Sequence, residues 1–234
     1  MTTDFHTYTF SIDKVLPTID TLTEYLHIDD VQHPAYLFAV KKLKELNESG
    51  FESIGGYTIC DVESINTAEG TVTINGQTIE TAPQVSRYMR GSSMMALFCC
   101  TAGNVFSMQS EVYNDKGDYL EGFITDAIGS LTVENAMQKI QDELEKDMEG
   151  RGLKITNRYS PGYCNWPLKG QKVLFSIIGN NPTGISLTDT CLMQPIKSVS
   201  GIIGIGADVK KRAYGCPICK NKECIYRKII NHKK

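Results

Sequence analysis

No stretch of this chain is long and apolar enough to suggest a membrane span. The longest uncharged run, Gly91 to Gln109, is broken by Ser92, Ser93, Thr101, Asn104, Ser107 and Gln109, whereas a spanning helix needs about 20 predominantly apolar residues. That run reads as buried core. The first ten residues hold no basic segment followed by an apolar one, so no secretory signal is expected and the cytosol is the expected compartment. There is no P-loop, and Gly204-Ile205-Gly206 lacks the third glycine of a dinucleotide fingerprint. The four histidines are isolated, and Ser, His and Asp assemble into no nucleophilic constellation. Internal repeats and low-complexity segments are absent. So is any interleaving of basic and aromatic residues, which argues against a nucleic-acid surface.

What is there begins with size and charge. At 234 residues the chain can bury one sizeable core, and the expected organisation is one domain over residues 1–208 with a tail over 209–234. The tail carries nine Lys or Arg against one acid, Glu223, a net +8, while the rest carries 15 basic against 26 acidic residues, a net −11. A basic segment on an acidic body suits partner docking or anion binding, and a solvated charge run is the plainer reading.

Cysteine is the other plentiful element. Eight cysteines without a secretory signal point to reduced thiols or metal rather than a disulfide framework. Cys60, Cys99, Cys100, Cys164 and Cys191 are scattered and read as small buried hydrophobes. Cys216, Cys219 and Cys224 instead cluster as C-P-I-C-K-N-K-E-C. Such thiolates could hold zinc with a fourth ligand such as His232, could hold an iron–sulfur cluster, or could be free thiols; the spacing leaves all of these open.

The body reads as α+β. Leu37, Val40, Leu43 and Leu46 recur along a helix from Ala35 to Leu46 that follows Pro34. Gly56 to Val62 reads as a strand. Thr71 to Ile74 and Gln77 to Glu80 alternate around Asn75-Gly76, a hairpin dipeptide. Met94 to Thr101 is apolar enough for a central strand, and a long helix is expected from about Asp118 to Met148 before Gly150 and Gly152. Lys154 to Asn157 reads as extended, Leu168 to Ile178 as helical, and Ile185 to Met193 and Ser198 to Ile205 as strands. Hairpins mixed with helices, without repeating βαβ units, predict a mainly antiparallel twisted sheet with packed helices.

The densest chemistry runs from Arg158 to Gly201. R-Y-S-P-G-Y at Arg158 to Tyr163 offers a bidentate guanidinium, a proline of fixed φ, a glycine that lets backbone approach a ligand and an aromatic hydroxyl. Alone, these six residues also fit an ordinary Pro-Gly turn flanked by an arginine. Pro167 and Lys172 follow, then L-T-D-T at Leu187 to Thr190, Met193, Pro195 and S-V-S-G at Ser198 to Gly201.

That series resembles the S-adenosylmethionine-binding activation (reactivation) domain of cobalamin-dependent methionine synthase, most closely over Arg158 to Gly201 and also upstream along the helix near Asp126 to Ile140. The resemblance implies binding of S-adenosylmethionine through Arg158, Gly162 and Tyr163, with Ser160 giving a backbone contact to adenine. It also implies roles for Glu134, in S-L-T-V-E, and for the small residues Ser198, Ser200 and Gly201. The implied activity is reductive methylation, in which one-electron reduction of oxidised cobalamin is coupled to irreversible methyl transfer.

The corrinoid signature D-x-H-x-x-G is missing, since Asp4-Phe5-His6 has Thr9 in the glycine position. The resemblance therefore implies cobalamin carried by a partner, a methionine synthase subunit or another corrinoid protein. An acidic flavodoxin or ferredoxin would suit the basic tail as electron donor. The sequence departs from the family where an aromatic segment with a ligand-contacting tyrosine should follow S-V-S-G and I-I-G-I-G-A-D stands instead. That departure leaves open a docking or electron-transfer adaptor without S-adenosylmethionine.

Overall fold

The computed structural model describes residues 4–212, so Cys216, Cys219 and Cys224 lie outside the described residues. The trunk of the fold is β2 (Glu52–Asn66), paired with β1 (His6–Ser11), β3 (Thr71–Ile74) and β5 (Met94–Thr101). The sheet continues from β3 to β4 (Gln77–Glu80), and from β5 through β9 (Ser198–Gly206) to β6 (Lys154–Tyr159). All seven strands pair antiparallel. The hairpin between β3 and β4 turns on Asn75 and Gly76, at φ 50° and 69°, the left-handed values that Asn-Gly tolerates best.

Helices cover both faces. α1 (Ile19–Leu26), α2 (Pro34–Asn47), α4 (Val105–Asp115) and the 32-residue α5 (Tyr119–Gly150) lie on one; α3 (Ala82–Tyr88) and α6 (Gly170–Ile178) lie on the other. β5 shows why its sequence reads as one apolar run. Ala96, Phe98 and Cys100 face the α5 layer, while Met95, Leu97 and Cys99 face the α6 layer, so both sides of the strand are buried. This α+β architecture is the one predicted.

Some elements differ from expectation. α2 forms where predicted but buries Ala35, Ala39, Lys42 and Leu46, leaving Leu37 and Val40 54% and 44% exposed. Steps of three residues rotate about 60° backwards around a helix each time, so the expected stripe winds off the face, whereas alternating steps of four and three hold it. Lys42 is accommodated through Glu45, 2.9 Å from its Nζ, and the Tyr113 ring 5.3 Å away.

The expected strand from Ile185 to Met193 is instead a small hairpin of β7 (Ser186–Leu187) and β8 (Met193–Gln194). The Thr188 hydroxyl accepts from the Leu192 N–H at 3.0 Å and Cys191 adopts φ 66°, so the polar T-D-T stretch closes a turn. β1, α1, α3 and α4 carry no signal that the sequence made plain. Among the described residues no helix is long and apolar enough to cross a membrane.

Candidate functional site

The site begins with an irregularity in β6. Lys154 and Ile155 pair with Gly206 and Ile205 of β9, the register then shifts, and Arg158 and Tyr159 pair with Ile203 and Ile202. Such bulges bend a strand and redirect its side chains. The Gly204 N–H finds the Thr156 hydroxyl at 2.9 Å. Asn157 clasps the backbone of Arg212, donating to its carbonyl at 2.9 Å and accepting from its N–H at 2.6 Å. Beyond the shift, cross-strand partners share a face. Arg158 therefore looks with Ile203 toward the α5 layer, and Tyr159 looks with Ile202 toward the α6 layer.

Where β6 ends, a cavity of about 740 Å³ opens, lined from both layers. On the α5 side the Arg158 guanidinium meets Glu134 at 3.3 Å and Gln138 at 3.5 Å. Arg158 is 17% exposed and Glu134 54%, so the arginine is held in the wall while the carboxylate stays wet.

The loop after β6 closes on itself. The Gly162 N–H donates to the Trp166 carbonyl at 2.8 Å, and the Trp166 N–H to the Tyr163 carbonyl at 2.9 Å. Gly162 sits at φ 91°, open to glycine and strained for other residues. Trp166 anchors the loop at 1% exposure, packed so close to Gly170 that a Cβ there would lie 2.4 Å from its indole nitrogen. Tyr163 stands at the mouth, 73% exposed.

Glu134, Arg158, Ser160, Tyr163, Ser198 and Ser200 all line this cavity. Gly162 and Gly201 are not among its lining residues. Gly162 shapes the turn, and Gly201 lets two strands touch, since a Cβ there would lie 2.2 Å from the Tyr159 carbonyl oxygen. Several lining residues were given no place in a site by the sequence reading, among them Asn157, Tyr159, Gln171 and Arg212. Arg212 rests over the Tyr88 ring at 4.8 Å, and Tyr88 stacks with Tyr159 at 5.5 Å. No spacing in the sequence signals this stack, because its members come from α3, β6 and the segment after β9.

The scattered cysteines divide. Cys60, Cys99, Cys100 and Cys191 are buried, as expected of small hydrophobes, while Cys164 is half-buried. Burial pushes the Cys99 and Cys100 thiols up to about 12, only partly countered by contacts with Thr183 and Ser53. Cys164 and Cys191 line the cavity. Among the described residues no group of three or more His, Cys, Asp or Glu is placed to hold a metal ion.

Residues 83–224 match the family described as vitamin B12 dependent methionine synthase, activation domain. No match is found among curated proteins. Among solved structures, the chain is similar to a crystal structure of the MetH reactivation domain bound to AdoHcy, with a TM-score of 0.61 and 13% identity over 90% of this chain and 81% of that one. At that identity the likeness speaks for the fold.

Proposed function

The chain belongs to the activation-domain family of vitamin B12-dependent methionine synthase, and from that premise we propose that it binds S-adenosylmethionine in the cavity beside β6 and supports reactivation of oxidised cobalamin held by a partner protein. The observation that carries this reading is the Arg158–Glu134 pair in the wall of a cavity that the R-Y-S-P-G-Y loop also lines. A volume of about 740 Å³ suits a ligand of this size. The AdoHcy bound to the structurally similar MetH domain supports the same ligand class.

Arg158 would take the ligand's carboxylate and Glu134 its ammonium, each exchanging part of their mutual contact for a charge-assisted bond. Ser160 would offer backbone to adenine. Ser198 and Ser200, on a strand of small residues, allow close approach to the ligand, and Gly162 and Gly201 hold the surrounding backbone in shape. Bound S-adenosylmethionine supplies an electrophilic methyl group; one electron and that methyl convert cob(II)alamin to methylcobalamin, leaving S-adenosylhomocysteine. The electron would come from a flavodoxin or ferredoxin docked on the basic tail. The protein's contribution is orientation of the methyl group, and no side chain needs to transfer a proton.

A second reading, a docking adaptor without S-adenosylmethionine, draws on Ile202 and Ile203, fully buried where the family carries its aromatic segment. Isothermal titration of S-adenosylmethionine into anaerobically purified protein separates the two. Saturable binding weakened roughly 10- to 100-fold by Arg158→Ala, the loss of about 1.5–3 kcal/mol expected for charge-assisted bonds, supports the first reading. Absence of binding by the wild type leaves the adaptor.

A further inference from the structure

After β9 the chain doubles back. Gly206, at the end of β9, lies opposite Lys154 at the start of β6, whereas Arg212 is clasped by Asn157 further along β6. The segment between them therefore runs alongside β6 toward the end where the cavity opens, and Arg212 lines that cavity. One residue earlier, Lys211 pairs with Glu145 of α5. The basic tail thus leaves the described residues at the cavity wall, with one of its charges already seated on α5.

α5 carries a matching face along the same path. Between Glu134 and Glu149 it holds six acidic residues against two lysines. Glu134, Gln138, Asp142, Glu145 and Glu149 follow one another at steps of three or four residues, which puts them on one side of the helix. Asp142 and Glu149 are exposed. Asp142 meets the neutral Gln138 amide at 2.8 Å, and neither acid forms an ion pair among the described residues. From Glu145 the face leads back to Glu134 in the cavity wall, about 16 Å along the helix. Residues 213–234 carry six Lys or Arg against one acid, Glu223, and the chain from Arg212 to Lys220 can span up to about 28 Å. The reach is ample.

We propose that the basic segment 213–234 docks on this face of α5, between Glu149 and the mouth of the cavity. Charge and chain path select this occupant. Single surface ion pairs are weak, but a tethered segment meets its site at an effective concentration in the millimolar range. The Lys211–Glu145 pair and the Asn157 clasp fix its starting point. Seated there, the segment brings its lysines to the cavity mouth. An acidic electron donor would find them beside the cavity and would compete with α5 for them. The docking does not depend on S-adenosylmethionine binding.

Zero-length carbodiimide crosslinking of the full chain, mapped by mass spectrometry, tests this. Crosslinks are expected within one molecule from Lys220, Lys222 or Lys228 to Asp142, Glu145 or Glu149. They should fall roughly tenfold when sodium chloride is raised to about 0.5 M, where exposed charges are screened beyond a few ångströms. The double variant Asp142→Lys, Glu149→Lys should lose the crosslinks to Glu145 even at low salt, and trypsin should cut it after Lys220 and Lys222 faster than it cuts the wild type. Should that variant not fold, the salt series on the wild type decides. Crosslinks spread evenly onto acids elsewhere, such as Glu69 and Glu80 beside β3, overturn the proposal. So do crosslinks found only between two molecules, crosslinks to α5 that salt leaves unchanged, or none to α5 at all. Each of these outcomes leaves the S-adenosylmethionine reading to its own titration.

Discussion

Arg158 owes its position to backbone and its usefulness to geometry. The register shift in β6 turns it toward α5, where its guanidinium rests on a carboxylate that is still half in water. A planar fork at that point can hold a second carboxylate, and an ammonium cannot reproduce it. Arg158→Lys should therefore weaken S-adenosylmethionine binding about tenfold, a loss of about 1.4 kcal/mol, with little change in melting temperature; equal affinity would show that charge alone suffices. Cys164 gives an independent check without substitution. It lines the cavity and is half-buried, while Cys99 and Cys100 are buried thiols held up to about 12. Peptide mapping after alkylation at pH 8 should find Cys164 modified ahead of Cys99 and Cys100, and slowed by ligand. The arginine, the tyrosine and the serines of the site were legible because they stand in one short run and one strand. Gln171, which lines the same cavity, was not, because it comes from α6, outside that run and strand.

Among the elements, β6 and β9 carry the heaviest constraint. Thr156 is 1% exposed, and its hydroxyl both accepts from the Gly204 N–H and donates to the Asn157 carbonyl at 2.8 Å. Thr156→Val keeps the shape but leaves the amide unpaired, at a cost of about 1–3 kcal/mol. The melting temperature should fall by roughly 2–10 °C, with a larger loss of ligand affinity than a remote substitution of equal cost; an unchanged melting temperature would mean the shift in register does not need the hydroxyl. The β3–β4 hairpin and β5 were readable because local chemistry decides them, through a left-handed dipeptide in one case and unbroken apolarity in the other. Half of the α2 stripe was misread because tertiary contacts chose small Ala35 and Ala39 over Leu37 and Val40, while Leu46 is buried and Leu43 packs on the core. The Ile185 to Met193 stretch looked like a strand, but the Thr188 hydroxyl claims the Leu192 amide and closes a turn. The bulge in β6 left no trace in sequence, since K-I-T-N-R-Y would serve a regular strand equally well.

Across the whole molecule, the sheet is sealed on both sides, and this has a measurable effect at high pH. Cys99 and Cys100, on opposite faces of β5, ionise in the folded protein at about 12 against an ordinary value of 9.0. A raised thiol pKa contributes stability that is fully present below about pH 9 and is lost as the unfolded chain ionises first. The urea midpoint should fall between pH 8 and pH 10, and the fall should be shallower in a Cys99→Ala, Cys100→Ala double variant; parallel slopes would mean that other groups govern it. The one tryptophan of the chain, Trp166, lies at 1% exposure inside the loop that lines the cavity. Its intrinsic fluorescence is thus a single-site optical gauge. Emission that reddens before the far-ultraviolet circular dichroism changes reports the loop opening over an intact sheet, whereas coincident curves report a molecule that melts as one unit.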